Sequence, residues 1–181
     1  ILMPGMDGFE VCRQIRRMSN VPILFLTAKT DETDKISGLA AGGDDYIVKP
    51  FSYSELIARM NAILRRRNIY DALDSERKKN LKWIEVGNLK INTEQNEVYL
   101  KSENIHLTET EYGILILLAQ NPGKIFSIEK IYESIWGEPA DVAAKNSVMV
   151  HIRRLRSKIE EEAGNPKYVL NVWGRGYKFV G

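Results

Sequence analysis

The hydrophobic period of this chain changes once, across the charged segment 68–81, and no single layer architecture suits both sides. Before it, Pro22-Ile23-Leu24-Phe25-Leu26 is a continuous apolar run of strand length, as a parallel strand covered on both faces requires. Asp44 to Pro50 gives a second short strand ending in lysine and proline. Helical spacing of apolar residues runs over 9–18, 31–41 and 53–67, the last with Ser52 as cap and Glu55 at its third position. Strands alternating with helices predict a parallel α/β sheet. Ile1–Met3 reads as the end of a buried strand, and Pro4 to Gly8 as a turn. With only two or so strands, this stretch falls short of an independent sheet.

Beyond the break, 83–91 and 97–100 alternate like antiparallel strands, with turns at Gly87-Asn88 and 92–96 and a third short strand at 104–107. Thr108 then offers an N-cap, with Glu111 at the matching third position, to an apolar helix ending at Asn121-Pro122-Gly123. A second helix runs from the Ser127 cap to Trp136 and stops at Gly137. The third, Lys145 to Ile159, buries Val148, Ile152, Leu155 and Ile159 as one stripe. A hairpin over 168–180, turning at 173–176, closes the chain. The organisation is therefore 1–67, a linker at 68–81, and a second domain at 82–181.

Net charge of +2 says little, but charge is segregated. The 145–158 window holds Lys145, Arg153, Arg154, Arg156 and Lys158 and no acid, and Glu160 to Glu162 follow immediately. A helix with one apolar face and cations elsewhere fits a DNA groove, although an isolated helix of this kind is more often a solvated face. Three helices followed by a hairpin make the winged variant of helix-turn-helix, with the third helix in the major groove. Asn146, Met149, Val150 and Arg153 would approach base edges, and His151, Arg154 and Arg156 would fix phosphates. Lys158 on the helix, with Trp173 and Arg175 in the wing, completes the candidate DNA-contact set. Trp136 and Trp173 read as well as packing aromatics, in the core or under the wing, as they do as contact residues.

One cysteine, Cys12, excludes an intramolecular disulfide, agrees with a reducing compartment and reads as a buried structural thiol. No run approaches the ~20 apolar residues that span a bilayer. There is no nucleophile–base pair and no Gly-rich phosphate loop, which ranks an enzyme on the α/β half last.

Several signatures together are specific. Leu107 to Tyr112, Ile135-Trp136-Gly137, Val150 to Lys158 and Gly174 to Phe179 in the second half, with Leu2 to Gly8, Leu26-Thr27-Ala28 and Gly43 to Phe51 in the first, resemble a response regulator of the OmpR/PhoB winged-helix family. The resemblance implies a doubly wound, flavodoxin-like receiver, present in part, followed by an α+β winged-helix domain. It implies a cytoplasmic, non-enzymatic transcription factor of a two-component phosphorelay, with a sensor histidine kinase, promoter DNA and RNA polymerase as partners. Lys49 would pair with phosphoryl oxygens, Thr27 would donate its hydroxyl, Tyr46 would swing inward, and Pro50 would follow a cis peptide aiming Lys49.

By the same resemblance the phosphoacceptor aspartate falls just ahead of Ile1, and the acidic pair that binds Mg²⁺ earlier still. Only the Leu2 backbone carbonyl would remain as a metal ligand, so this stretch is expected to hold Mg²⁺ poorly. Asp7, in the turn beyond the strand, is no substitute. A homodimer would form through Lys35 opposite Glu55, and Asp44 and Asp45 opposite Arg59 and Arg66. The alternative is a phosphorylation-independent DNA-binding protein that uses its receiver remnant only to dimerise.

Overall fold

A computed structural model describes residues 7–28, 32–64, 83–140 and 144–180. In the first half, α1 (Gly8–Met18) leads to β1 (Leu24–Thr27), α2 (Glu32–Ala41), β2 (Asp45–Val48) and a helix over 53–64, α3. The two strands pair in parallel with Thr27 beside Val48, as the uninterrupted apolar run predicts. Ser52 Oγ accepts from the Glu55 backbone N–H at 3.0 Å, satisfying one of the free donors at the start of α3. Phe25 on β1 meets Phe9 edge-on, ring centroids 5.6 Å apart. Gly38 and Gly43 lie under Phe25, and a Cβ on Gly43 would come within 2.6 Å of its ring. Cys12 is buried against α2, its Sγ 3.6 Å from the Ala41 carbonyl.

In the second half a meander of four antiparallel strands, β3 (Trp83–Val86), β4 (Leu89–Asn92), β5 (Glu97–Leu100) and β6 (Glu103–Asn104), precedes three helices. The third strand expected at 104–107 is two residues long and starts earlier. Past it the ladder keeps one bond, Ile105 N–H to Val98 O at 2.7 Å, before the chain turns toward the cap at Thr108. α4 (Glu109–Ala119) is buried almost all round, and its capping box forms as predicted between Thr108 and Glu111. α5 (Ile128–Trp136) starts at the Ser127 cap and ends on Gly137, whose φ of 74° is the left-handed geometry a glycine supplies without steric cost. α6 (Ala144–Ile159) is followed by the hairpin of β7 (Val169–Val172) and β8 (Gly176–Phe179).

One core joins these elements. Leu89, Ile91 and Val98 from the meander, Leu115 and Leu118 from α4, Ile131 and Trp136 from α5, and Phe179 from the hairpin belong to a single buried cluster. The hairpin is tied back to the α4–α5 connection by reciprocal Phe126–Tyr177 backbone bonds of 2.8 and 2.9 Å. No helix among the described residues is long and apolar enough to cross a membrane. Leu2, Arg66 and the linker 68–81 lie outside the described residues.

Candidate nucleic-acid interface

α6 is held by the stripe the sequence picked out: Val148, Ile152, Leu155 and Ile159 are each no more than 1% exposed. The opposite face carries Lys145, Met149, Arg153 and Ser157, one residue per turn, all exposed, with Asn146 and Val150 half-buried beside them. Such an i, i+4 row on a fixed helix is what a major groove reads. At the hairpin tip Trp173 is 93% exposed and Arg175 is exposed next to it, so Trp173 is a surface residue while Trp136, at 1%, is core. Of the candidate base-reading residues, Met149 and Arg153 stand on this exposed row and Asn146 and Val150 lie half-buried beside it.

The other candidate contacts of α6 are placed differently. His151 has no exposed surface, and its ring packs on Trp136 with centroids 5.5 Å apart. Its spacing of 3 and 4 from Val148 and Leu155 puts it on the apolar stripe. Arg154 Nη2 lies 3.1 Å and Lys158 Nζ 2.6 Å from the carboxylate of Glu111, which is wholly buried. The same carboxylate accepts from the Thr108 backbone N–H at 3.0 Å, completing the capping box. Lys158 also donates to the His106 carbonyl at 2.9 Å. Arg156 spans to the wing, giving Nε and Nη2 to the Val169 carbonyl at 2.9 and 2.6 Å and covering the Tyr177 ring. Burial lowers the pKa of Arg156 and raises that of Tyr177, each because the charged form loses water. A buried carboxylate demands donors, and two cations of α6 answer that demand. Lys145 and Ser157, which sequence reasoning did not single out as contacts, join the outward row; the fourfold spacing from Met149 and Arg153 was their signal.

In the first half, Thr27 ends β1 buried, Lys49 follows β2 exposed, and the Lys49 N–H donates to the Thr27 carbonyl at 2.7 Å. The Lys49–Pro50 peptide is cis. Thr27, Lys49 and Pro50 thus gather at the C-terminal edge of the two strands, where a parallel sheet binds ligands. Tyr46 is half-buried, with Lys35 Nζ 5.1 Å from its ring centroid. Asp45 meets Arg59 at 3.1 Å within the chain, and Glu55 lies 3.7 Å from the same guanidinium. Burial works against the charge on Arg59, but Asp45 and Glu138 outweigh it and raise its pKa above the ordinary arginine value. Asp44 departs from the expected pairing: strand alternation turns it to the other side of Asp45, where it binds Arg16 at 2.7 Å. Among the described residues no group of three or more His, Cys, Asp or Glu could hold a metal ion, so these residues alone do not fit Mg²⁺.

A family model described as "Response regulator receiver domain" matches residues 1–61, and one described as "Transcriptional regulatory protein, C terminal" matches 102–179. The chain is 50% identical over 179 residues to the uncharacterized transcriptional regulatory protein YrkP of Bacillus subtilis, covering 99% of this chain and 76% of that one. It superposes on the response regulator DrrB of Thermotoga maritima, an OmpR/PhoB homolog, with TM-score 0.53 and 34% identity, over 100% of this chain and 77% of that one. The chain belongs to the OmpR/PhoB family of response regulators. It is a DNA-binding transcriptional regulator of the two-component type, a receiver followed by a winged helix. Within that family, the DNA-binding domain of Klebsiella pneumoniae RstA in complex with the RstA box matches 55% of this chain and 97% of that one, at 31% identity and TM-score 0.51.

Proposed function

We propose that this OmpR/PhoB regulator reads double-stranded promoter DNA with the outward row of α6, the tip of the wing lying on the adjoining backbone or minor groove. Residues 1–67 serve as the receiver part, 68–81 as the connection and 82–181 as the DNA reader. The observation that carries this reading is the division of α6: one face is sealed by the core, and Lys145, Met149, Arg153 and Ser157 stand exposed on the other. Arg153 is suited to a bidentate grip on guanine, and Met149 and Val150 to apolar contact with a thymine methyl. Arg154, Arg156 and Lys158 act chiefly by fixing the helix against Glu111 and the wing, which sets the row's angle in the groove. Lys145, Arg175 and, at the wing tip, Trp173 meet phosphate and sugar.

The same reading includes control by phosphoryl transfer from a sensor histidine kinase. Thr27 and Lys49 receive the phosphoryl group's oxygens and Tyr46 follows as the moving aromatic. Mg²⁺ is the cofactor receiver domains generally use, and its acidic ligands are not supplied by the described residues. Receiver pairing through Asp45, Glu55 and Arg59, contact with RNA polymerase, a cytoplasmic location and the absence of enzymatic turnover also belong to it.

DNA binding by the whole chain across a salt series tests the reading. Lys145→Ala and Arg175→Ala should each flatten the log–log salt slope by about 0.9 for every phosphate the variant no longer neutralises. Arg153→Ala should cost about 1–3 kcal/mol on the best sequence and less on random DNA. Binding indifferent to salt and to all three changes would remove α6 and the wing as the interface.

A further inference from the structure

The hairpin has two strands, so β7 has β8 on one side and an open edge on the other. An open edge presents unpaired backbone donors and acceptors, which are costly to bury. Tyr168 and Val169 are nonetheless buried. Two side chains at the end of α6, one turn apart, meet that edge. Arg156 donates to the Val169 carbonyl at 2.9 and 2.6 Å. Glu160, itself buried, accepts from three successive backbone N–H groups: Lys167 at 2.7 Å, Tyr168 at 3.0 Å and Val169 at 2.9 Å. Val169 thus gives both its N–H and its C=O to side chains of this helix end, as it would to a third strand. A carboxylate directly after the last residue of α6, Ile159, faces the negative end of the helix dipole. Its burial there needs an offset, and charge-assisted bonds from three amides supply it.

We propose that Glu160 is a positioning residue for DNA recognition, which locks the angle of the wing to the outward row of α6. β8 is tied separately to the α4–α5 connection by the Phe126–Tyr177 bonds, and one such seam is a line about which a hairpin can turn. Glu160 holds the other strand, and two grips on different elements stop that rotation. Val169 stands four residues before Trp173, roughly 13 Å along a strand. A tilt of about 10° at Val169 therefore moves the wing tip by roughly 2 Å, against the ~0.5 Å within which a contact group must be held. With Glu160 in place the row and the tip meet one duplex as a single rigid surface; without it the wing must be ordered again on binding, at an entropic cost. That consequence for DNA rests on the proposed function; the grip itself does not.

The whole chain tests it, as parent, Glu160→Gln, Glu160→Asp, Arg175→Ala and the double variant Glu160→Gln with Arg175→Ala. Glutamine keeps the size of glutamate but turns one acceptor into a donor facing the amides; aspartate keeps the charge and falls a methylene short. Circular dichroism establishes that each variant retains its helices. Amide hydrogen exchange at Lys167, Tyr168 and Val169 should quicken roughly tenfold or more in both Glu160 variants, and more than in α4. DNA affinity should fall in both. Loss of a negative charge alone would instead raise it in Glu160→Gln and leave Glu160→Asp unchanged. Arg175→Ala should weaken binding by the parent and add little in the Glu160→Gln background, because the tip is already displaced. Unchanged exchange at the three amides overturns the grip. Tighter DNA binding by Glu160→Gln, or fully additive effects of the pair, overturns the positioning role. Faster exchange while no form binds DNA upholds the grip and instead overturns the DNA-binding reading.

Discussion

In the receiver half Leu26, Met60 and Leu64 stay exposed on one stretch of surface, bordered by Pro22, the half-buried Leu24 and Leu56, and the buried Ile63. Among the described residues of the winged-helix half the large apolar side chains left exposed are Trp83, Met149 and Trp173, set apart on a strand, a helix face and a turn. The second half closes its core, from Leu89 to Phe179, and exposes apolar groups singly, two of them on the face assigned to DNA. The first presents a contiguous apolar surface across β1 and α3. Exposure of a single apolar side chain therefore does not by itself mark a contact residue, whereas a contiguous apolar surface is the kind that association buries.

The strongest challenge to this contrast is at the wing. Gly176 has φ of 124°, and a Cβ there would fall on the Phe126 carbonyl, so Gly176→Ala should cost several kcal/mol, on the order of the largest single-residue effects. Gly123→Ala, also at positive φ but with no atom within 4 Å of a Cβ, should cost about 1 kcal/mol or slightly more, visible as a smaller shift of the urea midpoint. Equal midpoints would mean that the Phe126–Tyr177 seam does not hold the wing.

Core truncation sharpens the contrast next. Leu155→Ala, in a side chain with no exposed surface, should destabilise by about 2–5 kcal/mol. Leu64→Ala, 53% exposed on α3, should stay within about 0.5 kcal/mol by the same urea melt. A large loss at Leu64 would show that the apolar surface of the first half is covered in solution.

On α6 the pair Arg153→Ala and Arg156→Ala separates reading from holding. Arg156→Ala leaves the buried Val169 carbonyl without its guanidinium donors and should lower stability by roughly 1–3 kcal/mol, with DNA affinity following only as far as the fold loosens. Arg153→Ala should leave the melt unchanged and weaken DNA binding. The reverse pattern would exchange the two faces of the helix.

The smallest effect is in acid. Glu161 accepts hydrogen bonds from Lys101 and Lys167, which pull its pKa from 4.5 down to about 2. A carboxylate lowered on folding stabilises above its unfolded pKa and loses that contribution as pH falls through the folded one. Between pH 4.5 and about 2 the parent should therefore lose slightly more stability than Glu161→Gln. Both partners are exposed, so the difference should be small and should shrink in salt.

Local signals made much of this protein readable. The caps at Ser52, Thr108 and Ser127, the apolar stripe of α6 and the glycine stop at Gly137 act within one or two turns of chain. They are present in the structure where the sequence put them. His151 was legible too, since it sits on the stripe, but its basic neighbours drew it to the wrong face. Arg154 and Lys158 were not legible. Their carboxylate, Glu111, stands 47 residues before Lys158, and local spacing explained it fully as a cap. Asp44 was grouped with Asp45 by charge, although a period of two separates them.

The sequence by itself determined the change from parallel α/β to winged helix and the ends of the helices, because these rest on periodicity and capping between near neighbours, and its motifs carried the resemblance to the family. Only the tertiary structure decided which cations of α6 are engaged inside the fold, that Arg16 meets Asp44, and that Arg59 faces Glu138. A charged side chain is satisfied by whatever partner folding brings within about 3 Å, and no spacing along the chain encodes that meeting.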